Sequence, residues 1–349
     1  MTTDERAFMV EAMALAASEH PHPNPRVGAV VLDASGAVIG SGAHAGPGTP
    51  HAEAIALSEA ANRARGGTLV VTLEPCAHEG RTPPCVAVVV ASGVSRVIVG
   101  AGDPDEHVAG RGIAALRDAG LDVVVGIPDL DAETVDPGYF HHRRTGRPLV
   151  TLKMASTLDG QAAAADGSSR WITSSEARAD AHALRARADA ILVGAGTVRA
   201  DDPVLTARLE GYAGNQPRPV VVVGHKPVLP SSAIFARDPL VYAARPVELS
   251  GDVTVLPGPE GVDLGAMLDD LGKRAVVDLL VEGGPRVAGA LIRHGLADRF
   301  VFYLAGALAG GSAIGTVAGE FAKVENMSKV VITAVRRIGP DVRIDAERA

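Results

Sequence analysis

Six short apolar runs set the fold class. They are Thr68–Glu74, Arg96–Ala101, Asp122–Gly126, Ala190–Gly194, Val220–Val223 and Val276–Val281. Each is four to seven residues long and valine-rich or leucine-rich. That is strand length, and β-branched side chains suit a pleated surface. Beside and between them lie longer segments that read as helices: the Ala-rich His51–Arg65, Gly112–Ala119, Ser175–Ala188 and Arg286–His294. Strands alternating with helices predict layered α/β domains whose sheets are reached by crossovers. Aromatic residues are only 3% of the chain, so the cores are expected to be aliphatic.

The remaining segments extend this pattern. Residues 4–19 place Phe8, Met9, Ala12, Leu15 and Ala16 on one helical face, and the proline-rich run His20–Pro25 ends that helix. Val27–Asp33 and Ala37–Gly42 read as a hairpin turning at Ala34-Ser35-Gly36. Pro83-Pro84 suits the start of a helix over Cys85–Ser92. Composition shifts at Asp136–Pro148, a polar, basic and turn-rich stretch that reads as a linker, with a domain boundary near Gly146. A length of 349 residues accommodates the two domains this implies, 1–146 and 147–349. Leu149–Met154 and Arg299–Leu304 are further strands, and Val330–Arg337 with Asp341–Ala346 reads as an antiparallel pair.

Composition excludes several classes of function. A net charge of −8 leaves no basic footprint for nucleic acid. The run His141-His142-Arg143-Arg144 is accounted for by a solvated linker. Two cysteines are not a disulfide framework. Neither a signal-peptide apolar region nor a run long enough to cross a bilayer is expected. The expectation is a soluble, cytoplasmic protein with no membrane and no nucleic-acid partner.

Chemistry concentrates in His51–Cys85, HAEAIALSEAANRARGGTLVVTLEPCAHEGRTPPC, which holds both cysteines. His51 opens a predicted helix, with Glu53 two residues later. Cys76 follows Pro75 at the end of a predicted strand, and Cys85 falls in the first turn of a predicted helix. One imidazole and two thiolates make a three-ligand zinc site with a position left for water. Zinc lowers the pKa of water towards neutrality, and displacing an amino group from a heteroaromatic ring also needs a carboxylate to carry the proton. His51, Cys76 and Cys85 are therefore the candidate ligands and Glu53 the candidate catalytic shuttle. His-x-Glu followed by Pro-Cys is the first half of the zinc-deaminase signature, but Cys85 comes after eight intervening residues rather than two. A structural zinc site would be closed by a fourth His or Cys, and the residues leave His44 and His78 open for that place.

The segment TLEPCAHEGRTPPC resembles the deaminase half of the bifunctional riboflavin-biosynthesis deaminase–reductase family. That family has the long cysteine spacing with paired prolines, where cytidine and RNA-editing deaminases have the short one. The similarity extends to Asn24-Pro25 with Val27–Val30, to Gly42-Ala43-His44, and to Asp103-Pro104 with Val108–Gly112. It implies a cytidine-deaminase-like α/β/α layer domain in which Asn24 and His44 line a pyrimidine pocket. Ile55 stands where the family often has histidine; it is not among the three ligands.

The second half has no G-x-G-x-x-G after a strand, so the dinucleotide fingerprint is absent. Glu282-Gly283-Gly284-Pro285 does run from a strand into a helix, which suits close approach of a phosphate. TLKMASTLDG, SRWITS, ILVGAGTVRADDPVLTAR and LLVEGGP are similar, in order and spacing, to the reductase half of the same family. That resemblance implies a dihydrofolate-reductase-like α/β domain using NADPH. Carried over residue by residue, Lys153, Ser169, Arg185, Leu205, Arg208 and Glu282 would meet the ribose and phosphate of the substrate. Ala155, Trp171, Thr197 and Asp201 would line the cofactor pocket. Gly283, Gly284, Pro285, Arg286, Val287, Ala288, Gly289 and Ala290 would meet the cofactor diphosphate.

Three positions depart from the family: Gln161 where a basic residue is usual, Gly224 where an Asp commonly ends the strand, and Ala307 in a loop that lacks the usual Pro and Lys. They bear on cofactor affinity, and they motivate an alternative in which an active deaminase is joined to a domain that only binds. The resemblance implies hydrolytic deamination of 2,5-diamino-6-(5-phosphoribosylamino)pyrimidin-4(3H)-one, then NADPH-dependent reduction of 5-amino-6-(5-phosphoribosylamino)uracil. It implies zinc and NADPH as cofactors, a phosphorylated pyrimidine as substrate, and a homo-oligomer, dimer or tetramer.

Overall fold

The valine runs form the sheets. In the computed structural model, which describes residues 3–79, 83–311, 313–319 and 323–349, the chain makes two compact units, Met1–Gly146 and Arg147–Ala349.

The first unit runs α1 (Thr3–Ala17), β1 (Gly28–Leu32), β2 (Val38–Ala43), α2 (Ala52–Ala60), β3 (Thr68–Leu73), α3 (Cys85–Ser92), β4 (Arg96–Ala101), α4 (Arg111–Asp118), β5 (Asp122–Val125) and α5 (Pro137–Thr145). Its five-stranded sheet has the order β2-β1-β3-β4-β5. The β1–β2 and β1–β3 pairs are antiparallel, whereas β3, β4 and β5 run parallel. One face carries Val30, Leu32, Val70 and Ile98 against Met9 and Ala12 of α1. Small residues let the helices sit close. A Cβ on Gly28 would lie 2.0 Å from the Ala12 carbonyl oxygen of α1, and one on Gly40 would lie 2.2 Å from that of Ala56 in α2. Helices thus cover both faces, and the ends of β3, α2 and α3 are left to present side chains.

The second unit runs β6 (Leu149–Thr157), β7 (Gln161–Ala163), α6 (Ser175–Arg187), β8 (Ala190–Gly194), α7 (Ala195–Asp201), β9 (Arg218–Val223), β10 (Leu240–Ala243), β11 (Asp252–Val255), β12 (Pro257–Gly258), β13 (Gly261–Val262), α8 (Leu264–Lys273), β14 (Asp278–Val281), α9 (Pro285–Arg293), β15 (Arg299–Ala305), β16 (Ile314–Gly315), β17 (Val330–Ile338) and β18 (Asp341–Arg348). Nine strands form one sheet in the order β11-β10-β9-β8-β14-β6-β15-β18-β17. The first seven in that order are parallel; β18 and β17 are added antiparallel. After β6 the chain steps to β8, runs outward to β11, and returns to place β14 between β8 and β6. Such a reversal opens a crevice at the carboxyl ends of the strands. Met267, Leu268, Leu271, Ala288 and Leu291 cover one face of this sheet, and Val198, Leu205 and Ile234 the other.

The structure corrects several expectations. Asp136–Pro148 is not a solvated linker. Pro137–Thr145 is helical, Asp136 caps it through the Tyr139 N–H, and Tyr139 and Phe140 are buried. The arginines there are anchored: Arg143 lies over the Tyr139 ring and pairs with Asp105, and Arg144 pairs with Glu133. The helix expected over His51–Arg65 ends at Ala60 and tightens into a 3-10 turn, Ala61–Ala64. The glycine-rich stretch from Ala195 is helix α7, and α8 and β10 had no counterpart in the reading. No helix among the described residues is long and apolar enough to cross a membrane.

Gly28→Ala should cost about 1–3 kcal/mol, because a methyl group has no room under α1. Urea denaturation measures this directly, and an unchanged midpoint would contradict the close packing of α1 on β1.

Candidate metal centre and ligand cleft

Three separate chain segments converge in the first unit. His51 is the N-cap residue of α2, Cys76 lies just past β3, and Cys85 is the first residue of α3. Their ligand atoms all lie within 4.8 Å of one another. His51 Nδ1 is 3.1 Å from Cys85 Sγ and 3.7 Å from Cys76 Sγ. Ligands at zinc bonding distances on a tetrahedron are separated by roughly 3.3–3.8 Å, so this donor set fits the ion. The α3 backbone N–H of Cys85 donates to Cys76 Sγ at 3.4 Å. A helix start is a favourable place for a thiolate. Hydrogen bonding from Cys85 carries the Cys76 thiol down to about 4. Its own bond to Cys76, together with burial, pushes the Cys85 thiol up.

Glu53 sits in the first turn of α2 and is only 3% exposed. Burial pushes its carboxyl above the ordinary range, with the His51 charge opposing. A carboxyl biased towards its protonated form, beside a three-ligand set, is suited to holding and returning a proton. His44 does not close the metal site. Its Nε2 accepts from the Asn24 amide at 2.9 Å and its Nδ1 donates to the Pro50 carbonyl at 3.1 Å, so both ring nitrogens are committed. Burial pushes His44 down, which favours the neutral ring these bonds require. His78 is exposed and outside the ligand cluster. Residues 80–82, inside the quoted motif, lie outside the described residues.

A residue whose role the sequence did not disclose holds this arrangement. Glu74, 4% exposed, accepts from four backbone N–H groups: Asp103 and Gly110 on one oxygen, Gly112 and Ile113 on the other. It ties the end of β3 to the start of α4. Gly112 is packed against Pro75, since a Cβ there would lie 1.9 Å from the Pro75 oxygen. The Pro75-Cys76 turn is thereby fixed from both sides. Nearby, Asp103 is buried and accepts from Tyr139 Oη at 3.0 Å; burial pushes its carboxyl up to about 6.

The second unit contains a cleft of about 2420 Å3 at the carboxyl ends of its strands. Most of the expected reductase residues line it. On the substrate side these are Lys153, Ser169, Arg185, Leu205, Arg208 and Glu282, although the Leu205 side chain is itself largely packed in the core. Ala155, Trp171, Thr197, Asp201, Gly283, Gly284, Pro285, Arg286, Val287 and Ala290 line it as well. Two expected cofactor residues do not reach it. Ala288 is fully buried in the core, and Gly289 backs onto loop backbone, where a Cβ would lie 1.7 Å from the Ala318 oxygen.

Charge in the cleft is organised around Glu282. Arg185 makes two bonds to its carboxylate, at 2.6 and 2.9 Å, and Lys153 lies 3.8 Å away. Burial opposes ionisation there, but Lys153 and Arg185 outweigh it and hold the carboxyl down at about 2. His182, absent from the sequence reading, accepts from the Arg208 N–H at 3.2 Å. Burial and the neighbouring arginines push its ring down, and burial with Arg185 pushes Arg208 down. Three cationic side chains against one carboxylate leave a positive surplus, which suits a phosphate. At the strand-to-helix turn, Gly283 and Gly284 are backbone only. A Cβ on Gly283 would lie 2.8 Å from Val287, so the turn is a bare cradle at the start of α9, the kind a dinucleotide diphosphate occupies.

Comparison with known proteins places each half of the chain in a family. The family model for the RibD C-terminal domain matches residues 148–344, and that for the cytidine and deoxycytidylate deaminase zinc-binding region matches residues 2–101. The chain is 38% identical to riboflavin biosynthesis protein RibD of Escherichia coli strain K12, over 96% of this chain and 97% of that one. The chain belongs to the RibD family. Its RibD relative from Mycobacterium tuberculosis is 39% identical over 98% of both chains. Among solved structures, Acinetobacter baumannii RibD, form 1, matches with a TM-score of 0.91 and 33% identity over 99% of both chains. A Thermotoga maritima protein described as a diaminohydroxyphosphoribosylaminopyrimidine deaminase/5-amino-6-(5-phosphoribosylamino)uracil reductase matches with a TM-score of 0.88 and 30% identity, again over 99% of both. As a RibD protein the chain is a bifunctional enzyme of riboflavin biosynthesis, a zinc-dependent deaminase joined to an NADPH-dependent reductase. The RibD fold explains why both halves read as α/β: each sheet is parallel where crossover helices bury it.

Glu282→Gln should destabilise the chain by about 3–5 kcal/mol at neutral pH, because Arg185 and Lys153 lose their buried partner. A carboxyl held below its unfolded value stabilises above that value and loses the contribution as pH falls. The gap between wild type and variant in chemical denaturation should therefore narrow below the carboxylate range and close near pH 2. A gap independent of pH would contradict the ion-pair account.

Proposed function

We propose that residues 1–146 are the deaminase and residues 147–349 the reductase, acting in turn on one cytoplasmic metabolite. The substrate of the first is 2,5-diamino-6-(5-phosphoribosylamino)pyrimidin-4(3H)-one, and the second reduces 5-amino-6-(5-phosphoribosylamino)uracil. The observation that carries the reading is the convergence of His51, Cys76 and Cys85 beside the buried carboxyl of Glu53.

In the deaminase, His51, Cys76 and Cys85 hold zinc. Bound there, zinc is a Lewis acid that makes water acidic near neutral pH. Glu53 takes one proton of the attacking water and passes it to the ring nitrogen, then carries the remaining hydroxyl proton to the departing amine, so the carbon–nitrogen bond breaks, ammonia leaves and a carbonyl remains. Asn24, its amide fixed by the bond to His44, offers its remaining polar atoms to the pyrimidine, and the His44 ring lines the pocket. Glu74 keeps Cys76 in place while the ring is bound.

In the reductase, bound NADPH would supply a hydride for C1′ of the open-chain sugar. Lys153, Arg185 and Arg208 grip the ribose phosphate, with Glu282 setting the directions of the first two. The Gly283-Gly284 turn would hold the diphosphate of the cofactor, and Thr197 and Trp171, which line the same cleft, would flank it. Clamping of this kind supplies positioning, which is most of what a hydride transfer asks of the protein. Gln161, Gly224 and Ala307 leave this set of side chains intact, so nothing favours a domain that only binds. The protein works as a homo-oligomer.

Glu53→Gln should keep one zinc per chain and lower the rate of ammonia release by about 10²–10⁴-fold. Metal analysis and an ammonia assay on the same preparation decide it; unchanged release with zinc retained rules out the proton-shuttle role. Arg208→Ala should raise the reductase KM by roughly tenfold or more with kcat little changed, the pattern of a lost binding contact. A fall in kcat alone would contradict a clamping role.

A further inference from the structure

Trp171 is the one tryptophan of the chain, and it is 70% exposed while lining the cleft of the second unit. The chain is pinned on both sides of it. Ser174 donates its backbone N–H to the buried Asp341 at 2.7 Å and caps α6 through the Ala177 N–H. Arg170, on the other side, reaches α7 and donates to the Asp201 carbonyl at 2.8 Å. Between these anchors the indole stands clear of the core. A side chain so placed can sample several rotamers, and freezing it when a ligand arrives costs affinity.

One side chain does hold it. The guanidinium carbon of Arg178 lies 4.5 Å from the centre of the Trp171 ring, well inside the range of a cation–π contact, whereas that of Arg170 is at 6.0 Å, the limit of that range. Arg178 is oriented in turn: its Nη1 donates to the Thr173 carbonyl at 2.7 Å, two residues from the ring it covers. It sits one turn into α6, so the contact ties the indole to a helix whose start is already capped. A guanidinium over one face of the ring leaves the other face to a flat partner.

We propose that Arg178 is a positioning residue of the reductase: it holds the Trp171 indole ready as a stacking surface for a flat ring of the cofactor, nicotinamide or adenine. The inference rests on the reading above in which Trp171 flanks the cofactor, and adds what fixes it there. Arg178 acts through the indole and not on the cofactor. Its effect is therefore confined to cofactor binding, and it vanishes when the indole is gone. Arg178→Met keeps much of the side-chain length and removes the charge. Arg178→Lys keeps the charge without the planar fork.

Titration of the full, zinc-loaded chain with oxidised NADP, read by calorimetry and by Trp171 emission, tests this. In the wild type, binding should change the emission. Binding with no change in emission overturns the flanking position of Trp171 and this inference with it. Arg178→Met should raise the dissociation constant by roughly tenfold, with Arg178→Lys in between. The anisotropy of Trp171 in the ligand-free protein should fall in the same order. The KM for NADPH should rise, while kcat and the KM for the pyrimidine stay near wild type. In a Trp171→Leu background, Arg178→Met should cost nothing further. A Met variant that binds as the wild type does overturns the positioning role alone. So does an equal loss in the Trp171→Leu background, which would mean that Arg178 meets the cofactor itself. ADP-ribose 2′-phosphate, which lacks the nicotinamide, tells the two rings apart: the same loss assigns the adenine, and no loss the nicotinamide. If the variants do not fold, the wild type decides. Trp171 anisotropy should be high without ligand and hardly change on binding, whereas a mobile indole that becomes ordered overturns the proposal.

Discussion

A metal site assembled from three distant segments is only as good as the backbone that brings them together. Here the decisive constraint is the end of β3. Pro75-Cys76 must stop at a fixed height above the starts of α2 and α3, and the buried Glu74 carboxylate secures it with four backbone N–H bonds. Charged hydrogen bonds of this kind are strong and, once buried, costly to leave half-made. The contact of Gly112 with Pro75 closes the clamp from the other side. Cys76, Cys85 and His51 inherit their positions from it, and Glu53 follows two residues after His51 in the first turn of α2.

The second unit solves a different problem. It has no glycine-rich dinucleotide fingerprint, and it builds its cleft from topology. Returning β14 between β8 and β6 leaves a crevice at the strand ends. Glu282, just past β14, then stands where Lys153 of β6 and Arg185 of α6 both reach it. One carboxylate thereby orients two cations, and Arg208, whose backbone N–H is held by His182, adds to the positive side.

Much of this was legible in the sequence because it is periodic or local. Valine runs announced the strands, and His-x-Glu with Pro-Cys announced the metal site. The long Cys76–Cys85 spacing became informative only beside the family resemblance. What escaped depends on distant partners. The segment from Asp136 looks like a linker because its surface is basic, yet Tyr139 and Phe140 bury it as a helix. Glu74 was visible in TLEPC, but its four partners lie some thirty to forty residues further on. The open fourth position at the metal could not be settled while His44 was a candidate; its bonds to Asn24 and Pro50 exist only in the fold. Ala288 and Gly289 sit inside a matching motif but face the core and a loop, a matter of helix phase.

The central claim is that one chain carries out both reactions in sequence. The most direct measurement gives the full, zinc-loaded protein the diaminopyrimidinone substrate with NADPH and follows ammonia and NADPH together. One NADPH oxidised for each ammonia released, with oxidation lagging behind release, is the predicted result. Ammonia release with no oxidation of NADPH would contradict the reductase half, and oxidation that does not depend on prior release would contradict the order of the two steps.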